Sequence, residues 1–277
     1  MSAGAVPRER PELHYRLLTA AIGLPVLAVV VQIGGWSFAI VAGIIALLAG
    51  AEFVHGWLIP KLPLSAAWAM APMFGAASIM VMGAHAAWQF VAVGAAFALA
   101  TFLIGLSRSD VFGPRRPYRV VAACLVYIGI LLSTMVLLRD VEHGRNWVVL
   151  ALLATFAVDT GAYTVGKLVG RRKMAPRISP GKTWEGAAGG YLAGFGAVIG
   201  LDALFDPEVA FAKIAVLAAL LPVAAICGDL LESWMKRRMG VKDASGLLPG
   251  HGGFLDRLDS ILFTTPLVYV FVRLAVE

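Results

Sequence analysis

The residues best suited to chemistry lie in one stretch, Asp229 to Ser260. It holds five carboxylates, five cations, one histidine and a glycine-rich turn, and no other part of the chain is as dense in such groups. Asp229 and Glu232 are three residues apart, as are Asp256 and Asp259, so each pair would share one face of a helix. The spacing predicts two helix ends that present carboxylate oxygens to a common site.

Such a site suits a hard cation and a phosphate. Carboxylate oxygens are the ligands that Mg²⁺ takes together with water and substrate phosphates, and without a Cys/His cluster zinc is not expected. The five cations of the stretch could hold phosphate oxygens, and the Pro249–Gly253 turn would let backbone N–H groups approach an anion. Metal and cations together indicate phosphoryl or nucleotidyl transfer. The alternative, a solvated loop of mutually neutralising charges, explains neither the glycines nor the acids at helix ends.

A second stretch, Ser179 to Gly186, ends a basic loop and opens an apolar run. It cannot be a phosphate-binding P-loop, because Pro176 stands where that motif needs its first glycine. Lys182 and Thr183 would instead lie at a helix N-terminus, where free N–H groups favour anions. The alternative is that Thr183 only caps the helix and Lys182 only fixes topology.

The elements that position these groups are membrane helices. The 277-residue chain is 60% hydrophobic and 14% charged, with a mean hydropathy of +0.82, far from the composition of a soluble domain. Cys124 and Cys227 lie in apolar runs and are interpreted as small hydrophobic residues. Without a soluble domain, the net charge of +6 indicates contact with lipid headgroups and anionic substrates rather than with nucleic acid.

Nine apolar runs approach the length that a bilayer requires, and each must be helical to satisfy its own backbone hydrogen bonds. We therefore predict an all-α polytopic membrane protein with about nine transmembrane helices in a single domain, residues 1–277. The predicted spans are Leu17–Ile33, Trp36–Val54, Ala66–Met82, Ala86–Leu106, Val120–Leu138, Trp147–Val165, Gly186–Leu204, Phe211–Leu231 and Ser260–Val276.

Positive charge fixes the expected orientation. With the N-terminus in the cytoplasm and the C-terminus outside, all but four of the 23 Lys and Arg residues fall on the inner side. The exceptions are Arg139, Arg145, Lys213 and Arg273. Both chemistry-bearing stretches then lie at the cytoplasmic face of an inner, plasma membrane.

Carboxylates within the spans lie toward the same face. Intramembrane acids are unfavourable and usually face a cavity or a partner, which makes Asp159 and Asp229 candidates for a shared site. For Glu52, at the end of the second span, we expect a structural role. Accordingly, Asp229→Asn and Asp256→Asn should nearly abolish turnover, whereas Glu52→Gln should retain most of it.

The motifs of the C-terminal half, residues 147–277, resemble those of the phosphatidate cytidylyltransferase (CDP-diacylglycerol synthase) family. The signature is carried by Ser233-x-x-Lys236-Arg237, Lys242-Asp243, Leu248-Pro-Gly-His-Gly-Gly253 and Asp256-Arg-x-Asp259. Upstream, Ile178-Ser-Pro-Gly-Lys-Thr-Trp-Glu-Gly186 and Asp159-Thr-Gly-Ala-Tyr163 are similar to further motifs of the family. This chain departs from the family pattern at Gly181, where a second lysine is usual.

The resemblance implies transfer of CMP from CTP to phosphatidic acid, giving CDP-diacylglycerol and pyrophosphate, by a homodimer in the lipid membrane. It implies Mg²⁺ and a second, monovalent cation, K⁺. The metal ligands would be Asp229, Asp256 and, in support, Asp259, with Lys242 and Asp243 as further catalytic residues. The implied substrate-binding residues are Asp159, Ser179, Lys182, Thr183, Lys236, Arg237, His251, Gly252, Gly253 and Arg257.

Two other classes are less consistent with the sequence. A cation- or lipid-coupled transporter predicts acids near mid-membrane in matching halves, but here the acids crowd one leaflet and no inverted repeat is found. Another lipid phosphotransferase is nearer in chemistry. The CDP-alcohol type uses an Asp-Gly-x-x-Ala-Arg run that this chain lacks.

Overall fold

The computed structural model describes residues 13–59, 71–106, 116–205, 209–247 and 252–276, and within them the chain is mostly helical. A π-helical turn, Leu125–Ile130, joins the helices Arg116–Cys124 and Leu131–Asp140, and another, Val272–Val276, extends the helix Ile261–Phe271. The helices are α1 Leu13–Ile33, α2 Gly35–Leu58, α3 Ala71–Ala86, α4 Gln89–Leu106, α5 Arg116–Cys124, α6 Leu131–Asp140, α7 Gly144–Val169, α8 Trp184–Phe205, α9 Phe211–Met239, α10 Leu255–Leu258 and α11 Ile261–Phe271.

Within the described ranges, six helical segments are long and apolar enough to cross a membrane. They are Gly35–Leu58, Tyr118–Asp140, Gly144–Val169, Trp184–Phe205, Phe211–Met239 and Leu255–Val276. The other three predicted spans correspond to shorter apolar helices, Ala21–Ile33, Phe74–Ala86 and Gln89–Leu103. A polytopic helical membrane protein is thereby confirmed, while nine crossings and the orientation of the termini stay predictions.

The expectation of an all-α fold is wrong in one place. Between α7 and α8 the chain forms an antiparallel hairpin of β1, Lys173–Ala175, and β2, Ser179–Thr183. The Glu185 carboxylate accepts hydrogen bonds from the backbone N–H groups of Arg171 and Arg172, at 3.1–3.2 Å, and so closes the base of the hairpin. A polar loop at a membrane face thus satisfies its backbone groups by pairing them.

Small residues bring α7 and α8 into close contact. Gly186, Gly190 and Gly194 are buried along one side of α8. A Cβ atom at Gly190 would lie 2.7 Å from the Val158 carbonyl oxygen of α7. Because lipid tails are as apolar as the side chains, the hydrophobic effect does not drive helices together within a membrane. Close packing of this kind stabilises the contact between them instead. It also fixes the distance between the two ends of the hairpin, which joins these helices.

The N-terminal half packs onto the same end of the bundle. Helix α2 lies against α3, where the Ser78 hydroxyl donates to the Gly43 carbonyl oxygen at 2.8 Å, and its last turns reach α9 and α10. Gly56 of α2 contacts the Met239 side chain at the end of α9. The ends of α2, α7 and α9 and the beginnings of α8 and α10 therefore surround one region.

Replacing Gly190 by Ala tests the α7–α8 contact. We expect a lower Tm in detergent, equivalent to about 1–3 kcal/mol, because the methyl group would overlap the Val158 carbonyl. Gly196→Ala is the matched control, since nothing lies within 4 Å of a Cβ atom there. Equal Tm values for the two variants, measured by thermal unfolding, would show that this contact does not set the packing.

Candidate active site

A cavity of about 440 Å³ opens where the hairpin covers α7, α8 and α9. Its charged wall is formed by Asp159 of α7, Lys182 of β2, Asp229 of α9 and Asp259, which follows α10. Val158, Ala162, Tyr163, Lys167, Ser179, Thr183 and Ile226 also line it. The cavity thus combines a charged region with an apolar one, as a ligand with a polar head and a hydrocarbon part would require.

An ion pair joins the hairpin to α9. The Lys182 ammonium lies 2.5 Å from an Asp229 carboxylate oxygen, and both side chains are partly exposed. Asp159 and Asp259 interact electrostatically with Asp229 and with each other. With Lys167, which also lines the cavity, the wall carries three carboxylates and two ammonium groups, and its net negative charge would favour a further cation.

Asp256 lies outside this wall and is engaged by the protein. It is only 8% exposed. Its carboxylate accepts hydrogen bonds from Lys236 at 2.8 Å, from the Gly253 N–H at 2.8 Å and from the Ala244 N–H at 3.0 Å. In this structure Asp256 fastens the loop between α9 and α10.

Two predicted phosphate-binding cations also contact the protein itself. Lys236 forms ion pairs with Asp256 and, at 3.1 Å, with Glu232, a fully buried residue of α9. Arg237 donates to the carbonyl oxygens of Ile178 in the hairpin and Val241 in the loop, at 3.1 and 3.4 Å. These side chains tie α9 to its neighbours, and their predicted contact with phosphate stays a prediction.

Thr183 caps α8. Its hydroxyl oxygen accepts a hydrogen bond from the Gly186 N–H at 3.1 Å, which confirms the capping role considered from the sequence. Thr183 also lines the cavity together with Ser179, so the start of α8 faces the cavity beside Lys182. The dipole of this long helix favours negative charge near its first turn.

The remaining predicted site residues lie in or beside the loop after α9. Lys242, Asp243 and Arg257 are exposed and do not line the cavity. Gly252 has a φ of +82°, which favours glycine. His251 lies outside the described residues. The structure therefore brings together Asp159, Ser179, Lys182, Thr183, Asp229 and Asp259, and places the others around them.

The predicted metal ligands fit a hard cation in part. Asp229 and Asp259 offer carboxylate oxygens to one cavity, the donor type that Mg²⁺ prefers. Asp256 would first have to release Lys236 or a backbone N–H group. In the described part of the chain, no group of three or more His, Cys, Asp or Glu side chains is arranged to hold a metal ion.

Four residues near the site were not among the predicted site residues. Glu52, 1% exposed, and Ser245 contact each other at 2.5 Å and hold the loop, as described below. Buried Glu232 and cavity-lining Lys167 were not predicted as site residues. The three-residue spacing had placed Glu232 on one helix face with Asp229, and its four-residue spacing from Lys236 fits the observed ion pair.

The position of Gly253 shows why the turn needs a glycine there. A Cβ atom there would lie 2.5–2.7 Å from the Glu52 carboxyl group. Gly253→Ala should therefore displace the loop and lower turnover about 10- to 100-fold. Gly246→Ala, in the same loop, should stay active, because nothing lies within 4 Å of a Cβ atom at that position. Equal activity of the two variants in a steady-state assay would contradict this reading of the turn.

Comparison with known proteins identifies the family of this chain. The sequence model of the cytidylyltransferase family matches residues 14–275. A phosphatidate cytidylyltransferase of Staphylococcus haemolyticus is 32% identical over 263 residues, covering 93% of this chain and 98% of that protein. Phosphatidate cytidylyltransferases of Brucella suis and Bacillus subtilis are 40% and 37% identical over 157 and 150 residues, covering 56% and 54% of this chain and 58% and 56% of theirs. The chain therefore belongs to the cytidylyltransferase family.

Proposed function

We propose that this protein transfers CMP from CTP to phosphatidic acid, giving CDP-diacylglycerol and pyrophosphate. The observation that carries the proposal is the cavity at the helix ends, where Lys182, Asp229 and Asp259 share a wall and Val158 and Ile226 add apolar surface. A lipid phosphate needs both kinds of surface. The relatives named phosphatidate cytidylyltransferase support the same substrates for this chain.

In this reaction an oxygen of the phosphatidic acid phosphate attacks the α-phosphorus of CTP. A new P–O bond forms between the lipid phosphate and the α-phosphorus. The bond from the α-phosphorus to the oxygen that bridges it to the β-phosphorus breaks, and pyrophosphate leaves. A phosphate monoester with a second pKa of about 6 is largely ionised at neutral pH. The nucleophile therefore needs no dedicated base, and the protein's contribution is to orient two anions and offset their repulsion.

Lys182 is the residue best placed to bind phosphate. It lies beside the first turn of α8, and its ammonium can exchange the Asp229 contact for a phosphate oxygen. Asp229 and Asp259, with Asp256 if it releases a donor, would hold Mg²⁺. The bound ion would neutralise charge that develops on the phosphates. K⁺ as a second cation is part of the same proposal.

We further propose that the site faces the cytoplasm of a bacterial-type inner membrane, where soluble CTP is available, and that the protein is a homodimer. The charge bias of the sequence supports this orientation, with the N-terminus inside. A transporter is not favoured, because its acids should lie near mid-membrane. Here Asp159, Asp229 and Asp259 meet at one end of the bundle.

The reaction can be tested directly with protein purified in detergent. Radiolabelled CTP, phosphatidic acid and Mg²⁺ should give CDP-diacylglycerol and pyrophosphate in equal amounts, and EDTA should stop the reaction. Absence of lipid-linked label while the protein stays folded would refute the proposed activity.

The roles of single residues give a separate prediction. Lys182→Met and Asp229→Asn should each lower kcat/KM by more than about 100-fold, since each removes a charge from the cavity wall. Lys213→Met is the control, because Lys213 contacts the Ala275 carbonyl oxygen near the other end of α9. Near-normal rates in the first two variants, or an equal loss in the control, would contradict the assignment.

A further inference from the structure

Glu52 is a buried carboxylate supplied by the N-terminal half. It lies in α2, is 1% exposed, and reaches the loop that joins α9 to α10. One of its oxygens accepts hydrogen bonds from the Ser245 hydroxyl at 2.5 Å and the Phe254 N–H at 3.1 Å. The other accepts from the Leu255 N–H at 2.8 Å.

Glu52 and Asp256 divide the donors of this loop between them. At its first part, Ala244 donates to Asp256 and Ser245 to Glu52. At its last part, the Gly253 N–H donates to Asp256, and the next two N–H groups donate to Glu52. Both parts of the loop are therefore held by the same pair of carboxylates, one from each half of the chain.

The neighbourhood of Glu52 is shaped to admit its charge. Gly253 leaves the space that a methyl group would take from the carboxylate. Phe254 and Leu255 stand at the start of the short helix α10, and the N–H groups of both donate to the carboxylate. A carboxylate within a membrane-spanning helix is unfavourable unless such donors surround it. An apolar side chain could pack at this position but could not accept these hydrogen bonds.

We infer that Glu52 is a positioning residue for the transfer reaction, acting through the loop that it shares with Asp256. The loop carries Lys242 and Asp243, and its end fixes the start of the helix that leads to Asp259. This inference rests on the proposed function. It replaces the expectation from the sequence that Glu52→Gln would retain most turnover, because an amide presents an NH₂ group to an N–H donor.

A double-mutant cycle tests this role against a merely structural one. At a temperature well below Tm, Glu52→Gln should lower kcat/KM about 10- to 100-fold, and Ser245→Ala about fivefold. Because the two side chains act through one contact, the double variant should be no worse than Glu52→Gln alone. Ser78→Ala, which removes another buried hydrogen bond of α2, should leave kcat/KM unchanged and combine additively with Glu52→Gln.

Hydrogen exchange supplies a readout besides activity. The amides of Phe254 and Leu255 should exchange faster in Glu52→Gln than in the wild type, and at the wild-type rate in Ser78→Ala. If Glu52→Gln does not fold, the fivefold loss in Ser245→Ala remains as the test. Wild-type kcat/KM in Glu52→Gln or Ser245→Ala, additive losses, or unchanged exchange would overturn the inference. An inactive wild type would instead refute the proposed function, and exchange would still test the loop.

Discussion

The Lys236 ammonium lies between two carboxylates, Glu232 at 3.1 Å and Asp256 at 2.8 Å, and joins the end of α9 to the start of α10. Buried charges such as those of Glu232 and Asp256 are strongly unfavourable without a partner of opposite charge. Removing Lys236 would leave Glu232, which is fully buried, facing other acids. The geometry of the loop and of the adjacent cavity depends on this contact.

Around that centre, each segment of the site is held by a side chain from another element. Glu52 of α2 and Asp256 hold the loop after α9, and Arg237 holds the hairpin through the Ile178 carbonyl. The Lys182 ammonium of β2 forms an ion pair with the Asp229 carboxylate of α9. The hairpin over the cavity and the loop beside it are thereby held by charge-assisted hydrogen bonds.

Much of the fold could be predicted from sequence, because an apolar run within lipid must be helical to satisfy its backbone hydrogen bonds. The predicted span Trp36–Val54, for example, lies within the observed helix Gly35–Leu58. Local spacing also indicated that Asp229 and Asp259 would meet. The hairpin could not be predicted, since it depends on Glu185 and Arg237 accepting and donating across loops. The role of Glu52 depends on partners some two hundred residues away, which no local pattern records. For the same reason the sequence did not show that Asp256 is engaged by Lys236 and backbone N–H groups.

The central claim is that the cavity between the hairpin and α9 is where the nucleotide and the lipid phosphate meet. An experimental structure of the protein with CTP and Mn²⁺ in place of Mg²⁺ tests it most directly. We expect the triphosphate beside Lys182 and the first turn of α8, with anomalous density for the metal at Asp229 and Asp259. Nucleotide and metal bound away from this cavity, with the Lys182–Asp229 ion pair intact, would contradict it.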